Sequence, residues 1–157
     1  MSFKILLLLL NFILVAVYSQ EMPMAKDKYL INLEFVINEL SKNKLVKLAM
    51  IERTIPTSKK EYNVYYASTF PERNDDFVLA FYQLDSLIFL NAKYNKMNFA
   101  KKVIRMADFV DGEYAESYYF NLDDIVKLNT HCFCSEYRKL SSDSKDRLKE
   151  MYIEHCK

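Results

Sequence analysis

The sequence predicts an all-α fold, a compact multi-helix bundle or an irregular stack of helical hairpins, and three observations carry that prediction. Apolar residues recur at helical spacing through most of the chain. Gly occurs once and Pro three times, so little interrupts that spacing. Capping residues stand where one apolar run gives way to the next. With 157 residues, 51% of them apolar, the chain is too hydrophobic for wholesale disorder and large enough for one substantial core.

Residues 1–20, MSFKILLLLLNFILVAVYSQ, read as a secretory leader. Lys4 supplies the positive start, and Ile5 to Val17 form an apolar run broken only by Asn11, shorter than the roughly 20 residues a spanning helix needs. Cleavage after Ser19 gives a signal peptide of residues 1–19 and a single α-helical domain over residues 20–157, periplasmic or extracellular, with no stable membrane insertion.

Along that domain, Leu30, Leu33, Val36, Ile37 and Leu40 mark an amphipathic helix over 27–40. A second apolar set, Leu45, Leu48, Ala49 and Ile51, either starts a new helix or extends the first, and Pro56 closes it. The segment 59–68 is read as helix, although Tyr62, Val64 and Tyr66 also alternate like a strand. Thr69 and Glu72 have capping-box spacing, with Asn74 the rival cap, before an apolar helix from Phe77 to Leu90 that should be the most buried. Phe99, Val103, Ile104 and Ala107 predict a helix stopping near Gly112, the lone glycine. A short helix with Tyr114, Ala115 and Tyr118 should follow, then a second one capped by Asn121 and carrying Leu122, Ile125 and Val126. Phe133, Tyr137 and Leu140 mark the next, and Leu148, Met151 and Tyr152 the last, separated by a turn at 141–144.

Cys132 and Cys134 lie beside His131, and Cys156 beside His155. In an exported protein an antiparallel C-terminal helix pair would let Cys156 bond to Cys134 or, alternatively, to Cys132, leaving one thiol over. The same cluster is the seat of the competing reading, a small secreted thiol- or metal-dependent enzyme. Its spacing matches no usual zinc pattern, so no metal ligand is assigned. No HExxH, GxSxG or phosphate-cradling glycine motif occurs, so no catalytic residue and no cofactor are assigned.

Without the leader, 21 basic residues balance 21 acidic ones, and no nucleic-acid partner is expected. The charges are nevertheless segregated. Residues 93–105 carry Lys93, Lys96, Lys101, Lys102 and Arg105 with no acid, whereas 108–124 carry Asp108, Asp111, Glu113, Glu116, Asp123 and Asp124 with no base. Tyrosine offers both ring area and a hydroxyl to a partner. Tyr62, Tyr65, Tyr114 and Tyr118, with Glu113, Glu116, Asp123 and Asp124, are therefore the expected binding residues, and the basic rim of a partner is their expected complement.

The leader ending in VYSQ is similar to signal peptides of Bacteroidetes bacteria. A one-domain, motif-poor helical product of this size resembles, in general type, the immunity proteins of secreted antibacterial effectors. The resemblance implies a non-enzymatic inhibitor of a toxin or hydrolase. It covers no functional motif and transfers no residue role. A homodimer is compatible with the same features.

Overall fold

The computed structural model describes residues 27–69, 74–94 and 98–156. The leader, its cleavage site, and Pro71 and Glu72 of the expected capping box lie outside the described residues, as does Lys96 of the basic run. Among the described residues the chain is a compact helical bundle with no strand.

Helix α1 (Lys28–Ser41) opens on Asp27, whose Oδ1 accepts the Tyr29 N–H, and it buries Tyr29, Leu33, Val36, Ile37 and Leu40. Tyr29 joins the expected stripe because its hydroxyl donates to the Thr54 carbonyl at 2.7 Å, which satisfies the buried oxygen. The chain breaks after α1 at Asn43, which adopts a left-handed φ of 54°. The next helix, α2 (Leu48–Glu52), corrects the expected apolar set: Leu45, Leu48 and Ala49 are exposed, and Ile51 makes the core contact. Five residues give too few turns to bury a whole stripe.

Helix α3 (Lys59–Ala67) confirms the helical reading of 59–68. Ser58 caps it, and the Glu61 carboxylate reaches back to the Thr57 N–H and hydroxyl at 2.7 Å each. Asn74 is the cap of α4 (Asp75–Lys93), its Oδ1 accepting the Phe77 N–H at 2.8 Å. At 19 residues α4 is about 28 Å long. It packs against α1, α5 and α6 through Ala80, Phe81, Leu84, Ile88, Phe89 and Ala92. One side stays open, where Leu79, Tyr82 and Leu90 are exposed.

Helix α5 (Asn98–Arg105) turns its polar side out, buries Phe99, Ala100, Val103 and Ile104, and runs into a 3-10 turn over Met106–Asp108. Gly112 then takes a φ of 65°, which a residue with a Cβ rarely adopts. Helix α6 (Tyr114–Leu128) is one continuous helix where the sequence predicts two. Asn121 does not cap; its Nδ2 donates to the Ser117 carbonyl one turn earlier, and no Gly or Pro interrupts the inward stripe. Ion, ring and hydrogen-bond pairs match Asp85 to Tyr114, Phe89 to Tyr118, and Lys93 to Asp124, so α4 and α6 run parallel. At their far end buried Asn129 donates to the Ala92, Lys93 and Ile125 carbonyls, tying off two helix C-termini together.

The C-terminal segment forms α7 (Thr130–Tyr137), α8 (Ser142–Arg147) and α9 (Lys149–His155). Ser141 caps α8, and the rings of Tyr137 and Tyr152 stack at 4.1 Å between α7 and α9. Cys134 and Cys156 form the disulfide, with Cα atoms 5.6 Å apart, and Cys132 is free. Bridging a separation of 22 residues contributes about 3 kcal/mol through the unfolded chain. No described helix is long and apolar enough to cross a membrane.

Candidate functional site

The four tyrosines expected to meet a partner lie in the core instead. Tyr62, Tyr65, Tyr114 and Tyr118 are buried, and each hydroxyl already has an internal acceptor. Tyr62 donates to the Asp111 carbonyl at 2.9 Å and Tyr118 to the Val103 carbonyl at 2.8 Å. Tyr65 and Tyr114 both donate to Asp85 Oδ1 at 2.6 Å, while their rings meet edge to face at 6.0 Å. These residues fall on inward stripes of α3 and α6, and a tyrosine can be buried whenever its oxygen finds an acceptor. Burial pushes the Asp85 carboxyl above the usual aspartate range, and the hydrogen bonds from Tyr114 and Tyr65 offset this only in part.

The acidic run divides by partner. Asp111 pairs with Lys59, Asp123 with Lys127, and Asp124 with Lys93 at 2.6 Å, while Asp108 accepts the Ser141 N–H at 2.9 Å. Glu113 and Glu116 are exposed, and among the described residues neither makes an ion pair. At helical spacing Glu113, Glu116, Phe120, Asp124 and Leu128 share one outward stripe. Phe120 is 80% exposed and Leu128 59% exposed. The sequence reading missed Phe120. Its place one turn beyond Glu116, opposite the inward Tyr118, was the available signal.

The basic run is also built into the fold. Lys93 crosses to Asp124, and Lys102 reaches the Glu52 carboxylate and carbonyl at 3.2 Å each. Glu136, itself buried, accepts from Arg105 Nε at 2.6 Å and from Lys139 at 2.8 Å. Burial opposes ionisation of Glu136, yet the Lys139 and Arg105 hydrogen bonds outweigh it and hold the carboxyl below its usual range.

At the C-terminus, Thr130, His131, Cys134, Arg138, His155 and Cys156 line an open cavity of about 390 Å³. The fold thus gathers both histidines, but two of the three sulfurs are consumed by the disulfide. Burial pushes the remaining Cys132 thiol up, the wrong direction for a thiolate nucleophile. Among the described residues no three His, Cys, Asp or Glu side chains converge as a metal-binding group.

No protein-family model, curated protein or solved structure matches the chain, so its site is defined by its own geometry.

Proposed function

We propose that the protein is an exported, non-enzymatic protein-binding domain that docks a basic partner on the outer face of α6, in the manner of a periplasmic inhibitor or immunity protein. One observation carries the reading: two carboxylates without ion-pair partners among the described residues, Glu113 and Glu116, lie on the same stripe as the exposed Phe120. Free carboxylates orient a basic rim and speed encounter, while an exposed aromatic ring supplies the contact area that centres an interface. The buried, hydrogen-bonded Tyr114 and Tyr118 anchor this helix in the core, which favours a docking face that loses little order on binding.

Affinity capture with the mature chain, from its own cells and their immediate competitors, tests the proposal. The expected result is a stoichiometric basic partner, a hydrolase or toxin whose activity falls on binding, with an association rate that drops as salt is raised. Substrate turnover by the isolated chain, with no partner retained, would overturn it.

A further inference from the structure

A second surface, sharing no residue with the outer face of α6, has the opposite charge. Lys101, Lys102 and Arg105 on α5, with Lys139 just beyond α7, line a cavity of about 520 Å³ whose other walls include Pro56 and Phe109. We infer that this groove is a binding site for an acidic segment of a protein partner, one that places carboxylates on Lys101 and Arg105 and an apolar side chain against Phe109.

The geometry supports that occupant step by step. Lys101 and Arg105 are one helical turn apart and both exposed, so their charged ends project from the same side of α5. Lys101 has no ion-pair partner among the described residues. Arg105 spends its Nε on Glu136, and among the described residues no hydrogen bond occupies its terminal nitrogens, which leaves a guanidinium edge for a carboxylate. Glu136 is 4% exposed and holds Arg105 and Lys139 from behind, so the two cations are positioned before any ligand arrives.

The same anchoring limits the charge the groove presents. Glu52 offsets Lys102, Glu136 is shared between Arg105 and Lys139, and Asp108 is an acid in the cavity wall. A nucleic acid, with its dense row of phosphates, needs a sustained cationic track. A few carboxylates spaced along a peptide match one free lysine, one half-free arginine and an apolar wall.

Titration of the ¹⁵N-labelled mature protein tests the inference, with an octapeptide carrying four glutamates and a central phenylalanine as probe and tripolyphosphate as the second arm. Saturable amide shifts confined to α5, the 106–109 turn and residues 136–139 are expected. Lys101→Glu should weaken the peptide at least about tenfold and Lys101→Ala about threefold, both with unchanged melting, since the side chain is exposed. Absence of saturation, shifts centred on α6, equal affinity of Lys101→Glu, or tripolyphosphate binding where the peptide does not would each overturn the assignment.

Discussion

The two sides of α6 come from one stretch of sequence and do different work. Inward, Tyr114, Tyr118, Leu122, Ile125 and Val126 are buried, with both tyrosine hydroxyls bonded inside the domain. Outward, Glu113, Glu116 and Phe120 are exposed, and among the described residues the two glutamates make no ion pair. The inner side accounts for stability, and the outer side is the one we propose for recognition. Residue type alone does not separate them, because Tyr118 and Phe120 are both aromatic and only two positions apart.

The largest expected contrast comes from the inner side. Tyr118→Ala should cost about 3–5 kcal/mol in urea unfolding through the cavity it leaves, whereas Tyr118→Phe should cost about 1 kcal/mol for the lost hydrogen bond to Val103. A small loss for Tyr118→Ala would mean that α6 is not held by this stripe. Next in size is the clamp at the far end of the helix, where α9 packs against α6 and α7. Replacing both Cys134 and Cys156 by Ala should lower stability by about 3 kcal/mol under oxidising conditions, and reduction of the unmodified protein should reproduce the loss.

Asp85 sharpens the comparison through pH. Its folded-state value is raised above the ordinary 3.8, so the folded chain takes up that proton before the unfolded chain does. The group therefore favours folding increasingly as pH falls through the raised value toward 3.8, and it disfavours folding at higher pH. Stability of the native protein relative to Asp85→Asn should rise as pH falls across that window, measured by urea midpoints at matched ionic strength. The opposite slope would contradict the burial of this carboxylate. The smallest effect belongs to the outer side: Glu113→Lys with Glu116→Lys should move stability by no more than about 0.5 kcal/mol.

The helices were largely legible in the sequence, because their periodicity is local. Leu33, Val36, Ile37 and Leu40 are core residues where spacing places them. Misreadings came where tertiary contacts decide. Leu45 and Leu48 look like core leucines, but the left-handed turn at Asn43 and the brevity of α2 leave them outside. Asn121 has the composition of a cap, yet the inward stripe runs through it and the helix continues. Tyr62, Tyr65, Tyr114 and Tyr118 read as contact residues until the Asp111, Asp85 and Val103 acceptors for their hydroxyls are known. In the same way, Glu136 reaches Arg105 across a separation of 31 residues that no local pattern encodes, whereas its pair with Lys139, three residues on, is local. The Cys134–Cys156 tie was legible only as one of two pairings; positions 132 and 134 face different sides of α7, and the fold bonds Cys134 to Cys156 and leaves Cys132 free.

The division of labour across α6 is tested most directly by the equilibrium affinity of the captured partner for a variant carrying Glu113→Lys, Glu116→Lys and Phe120→Ala, measured beside its melting temperature. The expected result is a loss of about 100-fold in affinity, roughly 2.8 kcal/mol, with melting within about 4 °C of the native protein. Native affinity in this variant would place the docking surface elsewhere and contradict the assignment.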